Sequence, residues 1–198
     1  MREHLPSRED FMPRVRCVLS RAGHHGVLSD ASPEVLRAVK SVYAEALGAA
    51  RPRVVSWDVP NGFFTPDMIP PGLEGAASHT VLLVTLGSKL DDVIASRFAS
   101  GSPFEAVLFD AWGSEAAEAL TQAMDSLLRE ERAERFRGTF RFAPGYGDFS
   151  VVNNARWLER VDGAPRGGLP VTADPRTGVL SPRKSILCMI GWYKKEHD

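Results

Sequence analysis

Thr80-Val81-Leu82-Leu83-Val84-Thr85-Leu86 is an almost unbroken apolar, β-branched run between His79 and Gly87. A half-buried strand alternates polar and apolar residues, whereas this run has no wet face. It therefore predicts a strand buried on both sides in the centre of a sheet. The flanking chain must supply strands to pair with it and helices to cover it.

Upstream, Arg53 to Val59 reads as a second strand. The intervening chain, with Pro60, Asn61, Gly62, Pro66, Pro70, Pro71, Gly72 and Gly75, predicts a long irregular connection that wraps the surface. Before it, Ser32 as N-cap, Pro33 at the first helical position and Glu34 in the first turn start a helix that runs to about Leu47. Its inward stripe is Val35, Leu36, Val39, Val42, Tyr43, Ala46 and Leu47. Ser7 is a candidate cap for a first helix, but Pro13 interrupts the pattern, leaving Pro13 to Ala22 as the firm part. Gly23-His24-His25-Gly26 closes it. With no third ligand at a suitable spacing, the histidine pair reads as a solvated helix end, not a metal site.

Downstream, Gly87-Ser88 opens a short helix with Leu90, Val93, Ile94 and Phe98 inward, ended by Gly101. Ser102 as cap and Pro103 start the next, with Phe104, Val107, Leu108, Ala111 and Trp112 inward. The pattern resumes beyond Gly113 through Ala116, Ala117, Leu120, Met124, Leu127 and Leu128, so 103 to 133 reads as one helix with a soft point at Gly113 and a charged end. Periodicity places Glu118 on the outer face, with Glu115, Gln122, Asp125 and Arg129. A short helix is expected over Asn153 to Val161, a flexible link over Gly163 to Gly168, and strands over Leu169 to Ala173 and Ser185 to Trp192. Too little chain separates those two for a helical crossover, which favours antiparallel pairing. Lys194 to His197 reads as a frayed tail. The prediction is α+β: a single domain over 1–198 with a twisted, mainly antiparallel sheet packed with helices.

The 198 residues carry 24 Lys and Arg against 25 Asp and Glu, a net charge of -1, so no basic field attracts nucleic acid or an anionic membrane. No run is long enough to span a bilayer, and the N-terminus lacks the apolar segment of a signal peptide, which points to the cytoplasm. Cys17 and Cys188 stand far apart and read as small hydrophobes. No triad, paired carboxylates or phosphate loop is present, and no catalytic or metal-ligating residue is assigned.

The densest group of special residues is Arg141-Phe142-Ala143-Pro144-Gly145-Tyr146-Gly147-Asp148-Phe149-Ser150. Pro144 fixes φ for the first corner of a type I or II turn, and Gly145 takes the positive φ that type II demands next. Two glycines allow close backbone approach, Arg141 offers a planar fork for a carboxylate, and Tyr146 a ring for stacking. A ligand loop and a plain hairpin corner fit these ten residues equally.

Three blocks together resemble the activation domain of cobalamin-dependent methionine synthase: Thr80 to Ala119, with Phe109-Asp110-Ala111-Trp112-Gly113-Ser114 before Glu118; Arg141 to Tyr146, similar to the family's RxxxGY signature; and Leu169-Pro170-Val171-Thr172 followed by Leu180 to Ile186. They lie within residues 80 to 192. The resemblance implies binding of S-adenosylmethionine (AdoMet), with Arg141 on its carboxylate, Ala143, Gly145 and Tyr146 lining the pocket, and Glu118 facing its cationic end. It implies cobalamin carried by a partner, the cobalamin-binding methionine synthase chain, and a flavodoxin-type reductant, in reductive remethylation of inactive cob(II)alamin. An AdoMet- or corrinoid-binding regulator, or an activator of another corrinoid methyltransferase, fits the same residues.

Overall fold

The computed structural model describes residues 1–26, 31–162 and 171–195. In chain order the elements are β1 (Arg2–His4), α1 (Val15–Arg21), α2 (Pro33–Ala49), β2 (Arg53–Pro60), β3 (Ser78–Thr85), α3 (Lys89–Ala99), α4 (Pro103–Arg132), β4 (Phe136–Gly138), α5 (Asn153–Asp162), β5 (Thr172–Ala173), β6 (Leu180–Ser181) and β7 (Ser185–Lys194). Five strands form one antiparallel sheet in the order β1-β2-β3-β7-β4. β3 is its middle strand and is buried from His79 to Thr85, as its unbroken apolar run predicts.

Alternation along the strands feeds two cores. Leu82, Val84, Cys188, Ile190 and Trp192 face α1 to α4, while Val81, Leu83, Leu187 and Met189 face the 60–77 connection, α5 and the β5–β6 hairpin. On the second side Trp157 of α5 is fully buried and donates its indole N–H to the Met68 carbonyl at 2.8 Å, fastening α5 onto the long connection. On the first side Arg132 stacks 4.7 Å over the Trp192 ring and pairs with Asp58 at 2.5 Å, fixing the end of α4 over β7 and β2.

Of the serines at helix starts, Ser32 caps with its side chain, while Ser88 and Ser102 do not. Ser32 Oγ accepts from the Val35 N–H at 3.3 Å. Ser102 makes no side-chain cap bond, and only its carbonyl joins the helix, accepting from the Ala106 N–H at 3.1 Å. α4 runs through Gly113 without a break, and the stem of Lys184 lies across the glycine, 3.0 Å from where a Cβ would stand. Lys184, almost fully buried, ends on Asp110 (2.8 Å) and the Ser114 hydroxyl (3.0 Å).

Several expectations are corrected. Leu36, Phe98, Phe104 and Val107 are exposed, because helical period tells which side of a helix is apolar, not how far along it a partner extends. The segment 169–173 adds no strand to the main sheet. Thr172–Ala173 pairs with Leu180–Ser181 in a separate hairpin, while Leu169 and Pro170 lie outside the described residues. Asp174 explains the early reversal, since its Oδ1 accepts from the N–H groups of Arg176 (2.9 Å) and Thr177 (2.8 Å) and from the Thr177 hydroxyl (3.0 Å). The outer strands of the sheet are instead Arg2–His4 and Phe136–Gly138. Lys194 belongs to β7, opposite Phe136, and is no tail. The expected link at 163–168 and the residues 196–197 lie outside the described residues. Among the described residues no helix is long and apolar enough to cross a membrane.

Candidate functional site

After β4 the chain continues alongside β7. The Thr139 N–H donates to the Gly191 carbonyl (2.9 Å), and Phe142 and Met189 exchange both backbone bonds at 2.8 Å. Extended backbone sends alternate side chains to opposite faces, so Phe142 enters the α5-side core while Arg141 turns to α4. The Arg141 guanidinium donates to Glu118 and, at 2.8 Å, to Gln122 Oε1, one helical turn further along. Its side chain is only 16% exposed; that of Glu118 is 43% exposed.

The face of α4 that periodicity marks as solvated is thus roofed by residues 138–141. Asp125, expected in water, is buried and paired with Arg129 at 2.9 Å. Arg129 also donates to the carbonyls of Gly138 (3.2 Å) and Thr139. Gly138 is required at this crossing, because a Cβ would stand 2.8 Å from the Trp192 ring and 3.0 Å from Arg129 Nη1. Gln122, Asp125 and Arg129 are the contributors that the sequence did not single out, though their spacing from Glu118 places them on its face.

Beyond Arg141 two tight turns follow. The Tyr146 N–H donates to the Ala143 carbonyl at 3.1 Å with Pro144 and Gly145 (φ 98°) at the corners, the type II geometry those residues predict. The Phe149 N–H donates to the Tyr146 carbonyl at 3.1 Å around Gly147 (φ 52°), and the Gly145 N–H closes the loop on the Phe149 carbonyl at 2.7 Å. Phe142 and Phe149 anchor the loop from below, their rings 5.8 Å apart and edge-on. Tyr146 leans on Phe142 at 5.7 Å with about half of its surface open.

Of the residues singled out from the sequence, Arg141 and Glu118 meet directly, while Ala143, Gly145 and Tyr146 form the turn that leads away from them. The site therefore offers a guanidinium fork, a carboxylate, an amide, and an exposed aromatic face on a short, internally bonded loop. That set suits a ligand carrying both charges and a flat ring. Among the described residues no group of three or more His, Cys, Asp or Glu side chains could hold a metal ion.

No protein-family model matches the chain, and no curated protein matches it. Among solved structures the chain is similar to the MetH reactivation domain bound to AdoHcy, with a TM-score of 0.68 over 100% of this chain and 79% of that one, at 15% sequence identity. At that identity the likeness is one of fold.

Proposed function

We propose that this chain binds AdoMet at the Arg141–Glu118 site and acts as a reactivation component for a cobalamin-dependent methionine synthase carried on another polypeptide. The observation that carries the reading is the Arg141 guanidinium, largely buried and held against Glu118 and Gln122 at the mouth of a double-glycine turn. The fold shared with a reactivation domain that binds AdoHcy supports it.

The donor set fits the ligand. AdoMet carries a carboxylate at one end of its amino-acid part, with an ammonium and a sulfonium as its cationic groups. Inserted between Arg141 and Glu118, such a zwitterion replaces an internal ion pair with two external ones, so neither protein charge is left uncompensated. Arg141 takes the carboxylate, Glu118 faces the cationic groups, and Ala143, Gly145 and Tyr146 line the rest. When bound, AdoMet supplies an electrophilic methyl group for a corrinoid held by the partner, with a flavodoxin-type protein as electron donor. The residues of this chain bind and orient; fixing one reactant against another lowers the entropic part of the barrier without acid–base chemistry.

The test has two stages. Calorimetric titration with AdoMet should show saturable binding. AdoMet, a strong one-electron donor and a cob(II)alamin-loaded methionine synthase lacking its own activation region should then regain the methylcobalamin absorbance only when this chain is added. Absence of AdoMet binding overturns the reading at its root. Binding without spectral recovery removes the reactivation role and leaves a regulator that senses AdoMet.

A further inference from the structure

Between Asp10 and Asp30 the sequence holds no carboxylate side chain but three arginines, Arg14, Arg16 and Arg21, followed by His24 and His25. α1 folds this stretch so that Val18 and Leu19 enter the core and the polar residues stay outside. A cleft of about 620 Å³ opens there, lined by Arg14, Arg16, Cys17, Ser20, Arg21 and, from α4, Glu115. A smaller hollow of about 110 Å³ adjoins it, sharing Arg16 and Ser20 as a wall and reaching His24 and His25.

The charges in the cleft do not balance. Arg21 is paired with Glu115 at 2.6 Å. Arg14 and Arg16 have no carboxylate partner among the described residues. Three guanidinium groups face one carboxylate, a surplus of two positive charges in one concavity of a chain whose net charge is -1.

We infer that this cleft binds a small molecule through a phosphate or diphosphate group. A phosphoryl dianion matches the surplus of two charges and has enough oxygens for two guanidinium forks and the Ser20 hydroxyl; a single carboxylate satisfies one fork and leaves the other charge uncompensated. Arg14, Arg16, Ser20 and Arg21 are exposed, so a phosphoryl group carried on a larger organic body such as a nucleotide reaches them as readily as the free ion does. This inference does not rest on AdoMet binding, and the two sites are separable by mutation.

The test is titration of the intact chain with inorganic pyrophosphate and, separately, with ATP, both at fixed ionic strength and followed by calorimetry. Saturable binding is expected, tighter for ATP if the organic body is held as well. The Arg14→Ala/Arg16→Ala double variant should weaken it at least about tenfold, because two charge-assisted forks are lost. An Arg8→Ala/Arg176→Ala variant, which removes the same charge elsewhere, should bind like the parent. Lack of saturable binding, an unchanged affinity in the cleft variant, or an equal loss in the control variant each overturns the inference. So does binding of a long polyanion such as RNA that pyrophosphate fails to displace.

Discussion

Arg141 and Glu118, 23 positions apart, form an ion pair between the loop that follows β4 and the middle of α4. Glu118 is 43% exposed, so solvent screens the pair and its removal should cost at most about 1 kcal/mol of stability. Ligand binding is the sensitive readout. Arg141→Ala should weaken AdoMet by about 1.5 to 3 kcal/mol, the range for hydrogen bonds to charged groups, with a nearly unchanged melting temperature. Arg141→Lys should recover only part, since an ammonium lacks the planar fork. Calorimetry on a folded Arg141→Ala protein with parental affinity would remove the residue from the site.

Arg129 acts one step further back. It holds buried Asp125 and the carbonyls of Gly138 and Thr139, the stretch of chain that delivers Arg141 to α4. Arg129→Ala strands the Asp125 carboxylate and frees two carbonyls, and should destabilise the chain by about 2 to 3 kcal/mol. Adding Asp125→Asn should restore part of that loss, because the stranded charge is gone. Urea unfolding measures both; a single variant within about 0.5 kcal/mol of the parent rejects this account.

The same pair of elements explains what the sequence could and could not reveal. The central strand was legible because Val81 to Val84 leave no polar face, and α2 because Ser32, Pro33 and Glu34 spell out its start. The type II turn was legible from Pro144 and Gly145. The burial of Asp125 was not, since helical periodicity sees only the sheet-facing stripe and the covering chain comes from 138–141, a contact between segments that no local pattern encodes. β4 was hidden for a related reason: Phe136-Arg137-Gly138 is three residues long and lies against the charged end of α4. Asp174 ended the expected strand at 169–173 by a side-chain turn whose effect on pairing partners is likewise non-local.

The two cysteines should differ sharply in reactivity. Cys188 is fully buried on the helix-facing side of β7, and loss of hydration pushes its thiol from 9.0 up to about 12, against a smaller opposing pull from Arg141. Cys17 is half-buried and free. Ellman titration of the folded chain at pH 8 should therefore find one thiol, and a second only in denaturant; prompt reaction of both contradicts the buried assignment. Raising the folded-state value of Cys188 above its unfolded one means that the unfolded chain loses its proton first. Stability should then fall as pH rises from about 9 toward 12, and the fall should be shallower in Cys188→Ala.

Gly178 tests how tightly the β5–β6 hairpin supports the candidate loop. It has φ 70°, and a Cβ there would stand 2.0 Å from the Val151 carbonyl oxygen and 2.7 Å from the Val152 nitrogen, both backbone atoms that cannot rotate away. Its carbonyl also accepts from the Asn154 side chain at 3.0 Å, at the start of α5. Gly62 has φ 82° with nothing within 4 Å of a built Cβ, so alanine there incurs the conformational strain alone, about 1 kcal/mol. Gly178→Ala adds a backbone clash to that strain and should cost about 3 kcal/mol or more. In a chain of 198 residues each kcal/mol lowers the melting temperature by about 2 to 4 °C, so the two variants should separate by several degrees. Because Val151 directly follows the loop, Gly178→Ala should also weaken AdoMet binding while Arg141 and Glu118 are intact, and Gly62→Ala should not. Equal melting temperatures for the two variants would show that the hairpin yields to the added methyl and does not hold the loop in place.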